Sequence, residues 1–184
     1  MLDVDRTPGI RPAQNLWRRV DAMARSGFPF VCTLALMLAA NAPLGIPEQA
    51  VLLPAVTVIS VFFWSVYRPA SLPPPVVCLI GVFLDLLGWL PLGVGPVTLL
   101  VVQGLSLRWR RGLARQSFAV IWIVLASFGT GAAMLIWAAV CALNLQMFPA
   151  DTAFFQAVIT IALYPVIAIP LTQAHRSIAD PDLA

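Results

Sequence analysis

The chain has 184 residues, 60% of them hydrophobic and only 10% charged, with a formal net charge of +3. Soluble proteins carry about 25% charged residues, so this composition excludes an ordinary water-soluble domain. It points instead to membrane helices, each needing roughly 20 apolar residues.

Residues 1–15 mix proline, glycine and charge, and predict no regular structure. Asn15 then has the chemistry of a helix N-cap. After it, Leu16, Trp17, Val20, Met23 and Ala24 share one stripe at helical spacing, while Arg18, Asp21 and Arg25 project elsewhere. Such a helix either lies in the membrane interface with its aromatic ring at headgroup level or docks a cytoplasmic protein. Apolar spans follow at 28–44, 49–66, 75–89, 95–107, 117–144 and 152–174. The chain thus divides into a cytoplasmic segment 1–27, one transmembrane domain 28–175 and a tail 176–184. The first span ends in Ala40-Asn41-Ala42, a small-x-small pattern open to signal peptidase. Pro43 just beyond it makes a poor cleavage site, so the span is expected to stay.

The basic residues, all arginine, fix the expected topology. Arg6, Arg11, Arg18, Arg19 and Arg25 precede the first span and Arg68 follows the second. Arg108, Arg110, Arg111 and Arg115 follow the fourth, and Arg176 follows the sixth. The connections at 43–48, 90–94 and 145–151 hold no arginine, only Glu48 and Asp151. By the positive-inside rule, both termini are cytoplasmic and the protein belongs in a bacterial inner membrane. The same placement explains the basic balance without nucleic acid. The Arg108–Arg115 cluster reads as a topology determinant, or as a landing site for an acidic partner or lipid.

The third and fourth spans are short, and Pro91 and Pro96 interrupt the turn between them. They are two thin, tilted helices or a re-entrant hairpin, which requires protein or water around it. In the fifth, Ser127-x-x-x-Gly131 and Gly129-x-x-x-Ala133 offer small faces for close helix packing. Pro165 and Pro170 should bend the sixth. Cys32, Cys78 and Cys141 lie in three different spans without metal or disulfide spacing, and read as small apolar fillers.

Asp85 is the acidic residue well inside an apolar span, about 15 Å from Pro75 at 1.5 Å per residue. A carboxylate near mid-membrane costs on the order of 3 kcal/mol on insertion scales and calls for a partner. Candidate partners are the hydroxyls of Thr57, Ser60, Thr98 and Thr160, the N–H groups of Gly93-Val94-Gly95, and, with a long reach, Arg68. Two readings stay open: a hydrogen-bonded structural carboxylate, or an ion or proton site. Catalytic patterns are missing. An intramembrane aspartyl protease needs two carboxylates, a zincin needs paired histidines, and His175 stands alone. No enzyme, metal or cofactor is expected.

One resemblance is more specific. Trp64-Ser65-Val66-Tyr67-Arg68-Pro69, then Leu72-Pro73, then Gly81-Val82-Phe83-Leu84-Asp85-Leu86-Leu87, then Pro91-Leu92-Gly93 resembles the signature of the MreD family, the small integral-membrane subunit of the bacterial cell-elongation machinery. The proline run Pro73-Pro74-Pro75 departs from it. The resemblance implies a non-enzymatic role in rod shape and lateral peptidoglycan synthesis. It implies assembly with the scaffold MreC and, through it, with the MreB filament and the elongation glycosyltransferase and transpeptidase. It also implies an all-α bundle of about six spans, similar to the substrate-binding subunits of energy-coupling-factor transporters. Asp85, Arg68, Pro69, Gly81, Pro91 and Gly93 become the candidate residues for structure or partner contact. A small solute or ion transporter subunit using Asp85 is the competing expectation.

Overall fold

The computed structural model describes residues 16–42, 49–113 and 116–179, with side chains described over 27–42, 49–113 and 116–173. The expectations for residues 1–15, the Asn15 cap, the loop at 43–48, Arg115 and the end of the tail lie outside the described residues. So do those for the side chains of the Leu16–Ala24 stripe, His175 and Arg176. Six α-helices occur among the described residues: α1 (Leu16–Asn41), α2 (Leu52–Tyr67), α3 (Pro74–Gly88), α4 (Val94–Leu113), α5 (Phe118–Asn144) and α6 (Asp151–Ala179).

α2 forms the central pillar. Residues 53–66 are all buried, as a helix that is apolar on every side requires. The other five helices pack around it, α3 most closely on α4 and α5 on α6. Trp64 meets Phe28 of α1 edge-on at 6.1 Å, and Phe62 meets Phe128 of α5 at 5.8 Å. Ile59, Leu84, Leu99, Leu125 and Leu171 bring five helices to one apolar core.

Two elements differ from the sequence expectation. The interfacial stripe and the first span are one continuous helix, α1, with Pro29 inside it. Gly27 and Pro29 sit at the change from the polar segment to the apolar one and disfavour a helix there, yet the backbone runs through. α4 likewise continues past its apolar stretch into Arg110 and Arg111, because arginine is a good helix former and change of polarity alone does not end a helix.

Three helical segments are long and apolar enough to cross a membrane: Gln49–Tyr67, Phe118–Asn144 and Asp151–Gln173. The apolar part of α1, Gly27–Asn41, and α3 are shorter.

The α5–α6 pair shows how prolines are accommodated. Pro165 and Pro170 both lie inside α6. Pro165 has no N–H for the carbonyl of Ile161, four residues earlier. The indole Nε1–H of Trp122 on α5 donates to that carbonyl at 2.9 Å. Of the two small-residue faces, Gly129 is the one used against α6. A Cβ there would lie 2.8 Å from Thr160 Cγ2, while Gly131 has open space around it.

Candidate functional site

The turn between α3 and α4 carries the most specific geometry. Trp89, the residue just beyond α3, is left-handed at φ 55°. The Trp89 and Leu90 N–H groups both return to the carbonyl of Asp85, Leu90 at 3.0 Å, closing the helix end. Gly93 adopts φ 105°, which a side chain would oppose, and α4 starts at the next residue.

Asp85 lies in the last turn of α3 and is 1% exposed. Its Oδ2 accepts the N–H of Gly93 at 2.7 Å and its Oδ1 accepts the N–H of Gly95 at 2.7 Å. A helix start leaves four N–H groups without intrahelical partners, and here each is accounted for. Val94 donates to the Pro91 carbonyl, Gly95 to Asp85, Pro96 has no N–H, and Val97 donates to the Gly93 carbonyl. Asp85 therefore caps α4 from α3. Its carboxyl group sits at the positive end of the α4 dipole, which favours the ionised form.

Glycines make this approach possible. A Cβ on Gly81 would lie 2.5 Å from Pro96 Cα and 2.8 Å from Gly95 C, and a Cβ on Gly95 would lie 2.6 Å from Asp85 Oδ1. Both obstructions are fixed by the crossing of α3 over α4. At the other end of this pair, Gln103 of α4 donates through Nε2 to the Leu72 carbonyl at 2.6 Å.

The candidate residues separate into two groups. Asp85, Gly81, Pro91 and Gly93 converge on the α3–α4 turn. Arg68 and Pro69 lie before the opposite end of α3 and take no part in it. Arg68 terminates α2, as its Pro69 neighbour predicts, with its N–H on the Trp64 carbonyl at 2.8 Å. Pro69 opens a short 3-10 turn, Pro69–Ser71. The Arg68 Nη1 is buried without a hydrogen-bond partner, as are Ser60 Oγ and Trp64 Nε1 on the same face of α2. The guanidinium is thus partly covered rather than fully extended outward.

Of the hydroxyls considered for Asp85, Thr57, Thr98 and Thr160 each donate to the carbonyl four residues back in their own helix. The Gly-rich turn supplies the partners instead. Asp85 is also nearer the C-terminal end of its helix than its distance from Pro75 suggests, because α3 ends about 5 Å beyond it at 1.5 Å per residue. Sequence reasoning missed Gly95 as a contact glycine, Pro96 as its neighbour, and the Gln103–Leu72 and Trp122–Ile161 bonds. A proline inside a helix, as at 165, leaves the carbonyl four residues earlier without its usual N–H, and that was the one available signal.

No family model, curated protein or solved structure matches this chain.

Several cavities flank the bundle. One of about 360 Å³ opens between the start of α2 and the α5–α6 connection, with Gln156 and Thr152 among apolar residues. Another, of about 520 Å³, lies toward the opposite end beside Tyr67, Tyr164 and Gln173. Smaller ones of about 320 Å³ and 140 Å³ lie beside Phe30 and Val76 and between α4 and α5. Asp85 lines none of these four. Cys32, Cys78 and Cys141 are free thiols on three different helices. No cluster of three or more His, Cys, Asp or Glu able to hold a metal occurs among the described residues.

Proposed function

We propose that this chain is a non-enzymatic, six-span subunit of the cell-elongation machinery of a bacterial inner membrane, with both termini cytoplasmic. In this role it assembles with MreC and supports rod shape and lateral peptidoglycan synthesis. The observation that carries the reading is the use of Asp85. The residues of the MreD-like stretch from Gly81 to Gly93 close one turn, in which each carboxylate oxygen of Asp85 accepts a backbone N–H. A carboxylate so engaged holds a shape, and a rigid shape is what an assembly subunit needs. An ion or proton site needs a carboxylate oxygen facing a cavity, so a transporter built on Asp85 is the weaker reading. The arginine distribution supports the orientation, and lipid fills the remaining contact surface.

Affinity purification of the tagged chain from membranes in mild detergent tests this. MreC should co-purify with the wild type. Asp85→Ala should reduce recovery of MreC and round the cells, at a membrane abundance verified by immunoblot. Asp85→Asn should fall between the two, since one oxygen survives for Gly95 while its amide faces a second donor. Recovery of transport substrates and no MreC, or equal and complete failure of both variants at normal abundance, would refute the assembly role.

A further inference from the structure

The two sides of the bundle differ in hydrophobic length. α3 is 15 residues long, about 22 Å at 1.5 Å per residue. The apolar part of α4, residues 94–107, rises about 21 Å before Arg108, Arg110 and Arg111 begin. On the other side, α5 has 27 residues, about 40 Å, and the apolar stretch Asp151–Gln173 has 23 residues, about 35 Å. A bilayer core is about 30 Å thick, so one edge is too short for it and the other is not.

The short edge also carries markers of two membrane boundaries. Its outward face presents Leu79, Leu86, Val97, Val101 and Leu105, all exposed. Trp89 stands at one end, 94% exposed, and Trp109 at the other, 53% exposed, beside exposed Arg108 and Arg111. Tryptophan concentrates at headgroup level on both sides of a membrane, and arginines there meet anionic headgroups. Trp89 occupies a left-handed position at φ 55°, where glycine would be less strained.

We infer that the outer face of the α3–α4 pair is a lipid-binding edge that selects short acyl chains and thins the bilayer locally, between the planes marked by Trp89 and Trp109. Bilayers yield to a short helix by thinning. The backbone-bonded Asp85 carboxylate and the open turn at Gly93 then lie at the thinned outer boundary. This rests on the six-span orientation proposed above.

The full-length chain, with its three cysteines replaced by alanine, is labelled with bimane at Val101→Cys on α4 or at Val166→Cys on α6. It is reconstituted in vesicles of phosphatidylcholine carrying two 14-carbon or two 22-carbon monounsaturated chains, one of the pair brominated. The Val101 label should be quenched by the short-chain lipid with roughly fivefold preference over the long-chain lipid, a ratio in keeping with a mismatch of several ångström. The Val166 label should show no such preference. Arg108→Leu, which lengthens the apolar stretch, should shift the Val101 label toward longer chains. Equal quenching at Val101, or a long-chain preference there, overturns the inference. A disulfide-linked dimer through Leu86→Cys, with the Val101 label shielded from both lipids, overturns it in favour of a second copy. MreC takes no part in this assay, so a failed MreC purification leaves the outcome standing. A reporter at Leu92 that reads cytoplasmic sinks the orientation on which both proposals depend.

Discussion

Replacing Gly81 by alanine should unlatch the α3–α4 turn without touching Asp85. The added Cβ would lie 2.5 Å from Pro96 Cα and 2.8 Å from Gly95 C. Both are backbone atoms, which cannot swing aside as a side-chain tip can. Relieving the clash requires the helices to part by about 1 Å, since carbon atoms pack at about 3.5–4.0 Å. That movement stretches the Gly95 N–H···Asp85 bond from 2.7 Å beyond hydrogen-bonding range. Overpacking costs about 1–3 kcal/mol, and a lost bond to a charged group about 1.5–3 kcal/mol, giving roughly 3–5 kcal/mol with partial relaxation. Gly104, on α4, faces open space, so Gly104→Ala should be neutral or stabilising by up to about 1 kcal/mol. Equilibrium unfolding in mixed micelles of mild detergent and dodecyl sulfate, followed by circular dichroism, measures both. A Gly81→Ala change below about 0.5 kcal/mol, the range of an inert surface substitution, would refute the account of close approach. So would a Gly104→Ala loss equal to that of Gly81→Ala.

Trp122→Phe should destabilise by about 1–3 kcal/mol in the same assay, because the Ile161 carbonyl loses the indole that replaces the missing proline N–H. Trp64→Phe should lose no hydrogen bond, since the Trp64 indole N–H is buried without a partner among the described residues, so its cost should be that of the cavity left at a fully buried site. Reporter fusions at Ala184 and Asn144 should read cytoplasmic and periplasmic respectively, and identical signals would break the topology. Arg68→Lys should retain most function, because no fork-shaped contact engages Nη1 within the chain. Its failure at normal abundance would point to a partner carboxylate that only a guanidinium matches.

What could be read from residues and what could not divides along physical lines. Helix positions were legible because apolar runs, three of them long enough to cross a membrane, are bounded by proline and arginine. Asp85 was legible as a group needing a partner, because charge in an apolar span is costly. The N–H groups at residues 93–95 were among its candidates, because a glycine turn leaves donors free. Choosing them over Thr98 or Thr160 required the crossing of α3 over α4, which depends on Gly81 and Gly95 meeting in space. Nothing in a single sequence pairs two glycines fourteen positions apart. Trp122 was illegible for the same reason. Pro165 reveals a carbonyl in want of a donor, and the donor comes from another helix. The unity of α1 was missed because a change in polarity was taken as a change in element.

The capping of α4 by a residue of α3 bears on how the protein enters its membrane. When α3 leaves the ribosome, Asp85 has no partner, and its donors at Gly93 and Gly95 are eight and ten residues behind it. A short helix with an unsatisfied carboxylate partitions poorly into lipid, and so does a helix start with bare N–H groups. Each half supplies what the other lacks. The two helices therefore suit an apolar surrounding better as one folded hairpin than as separate segments.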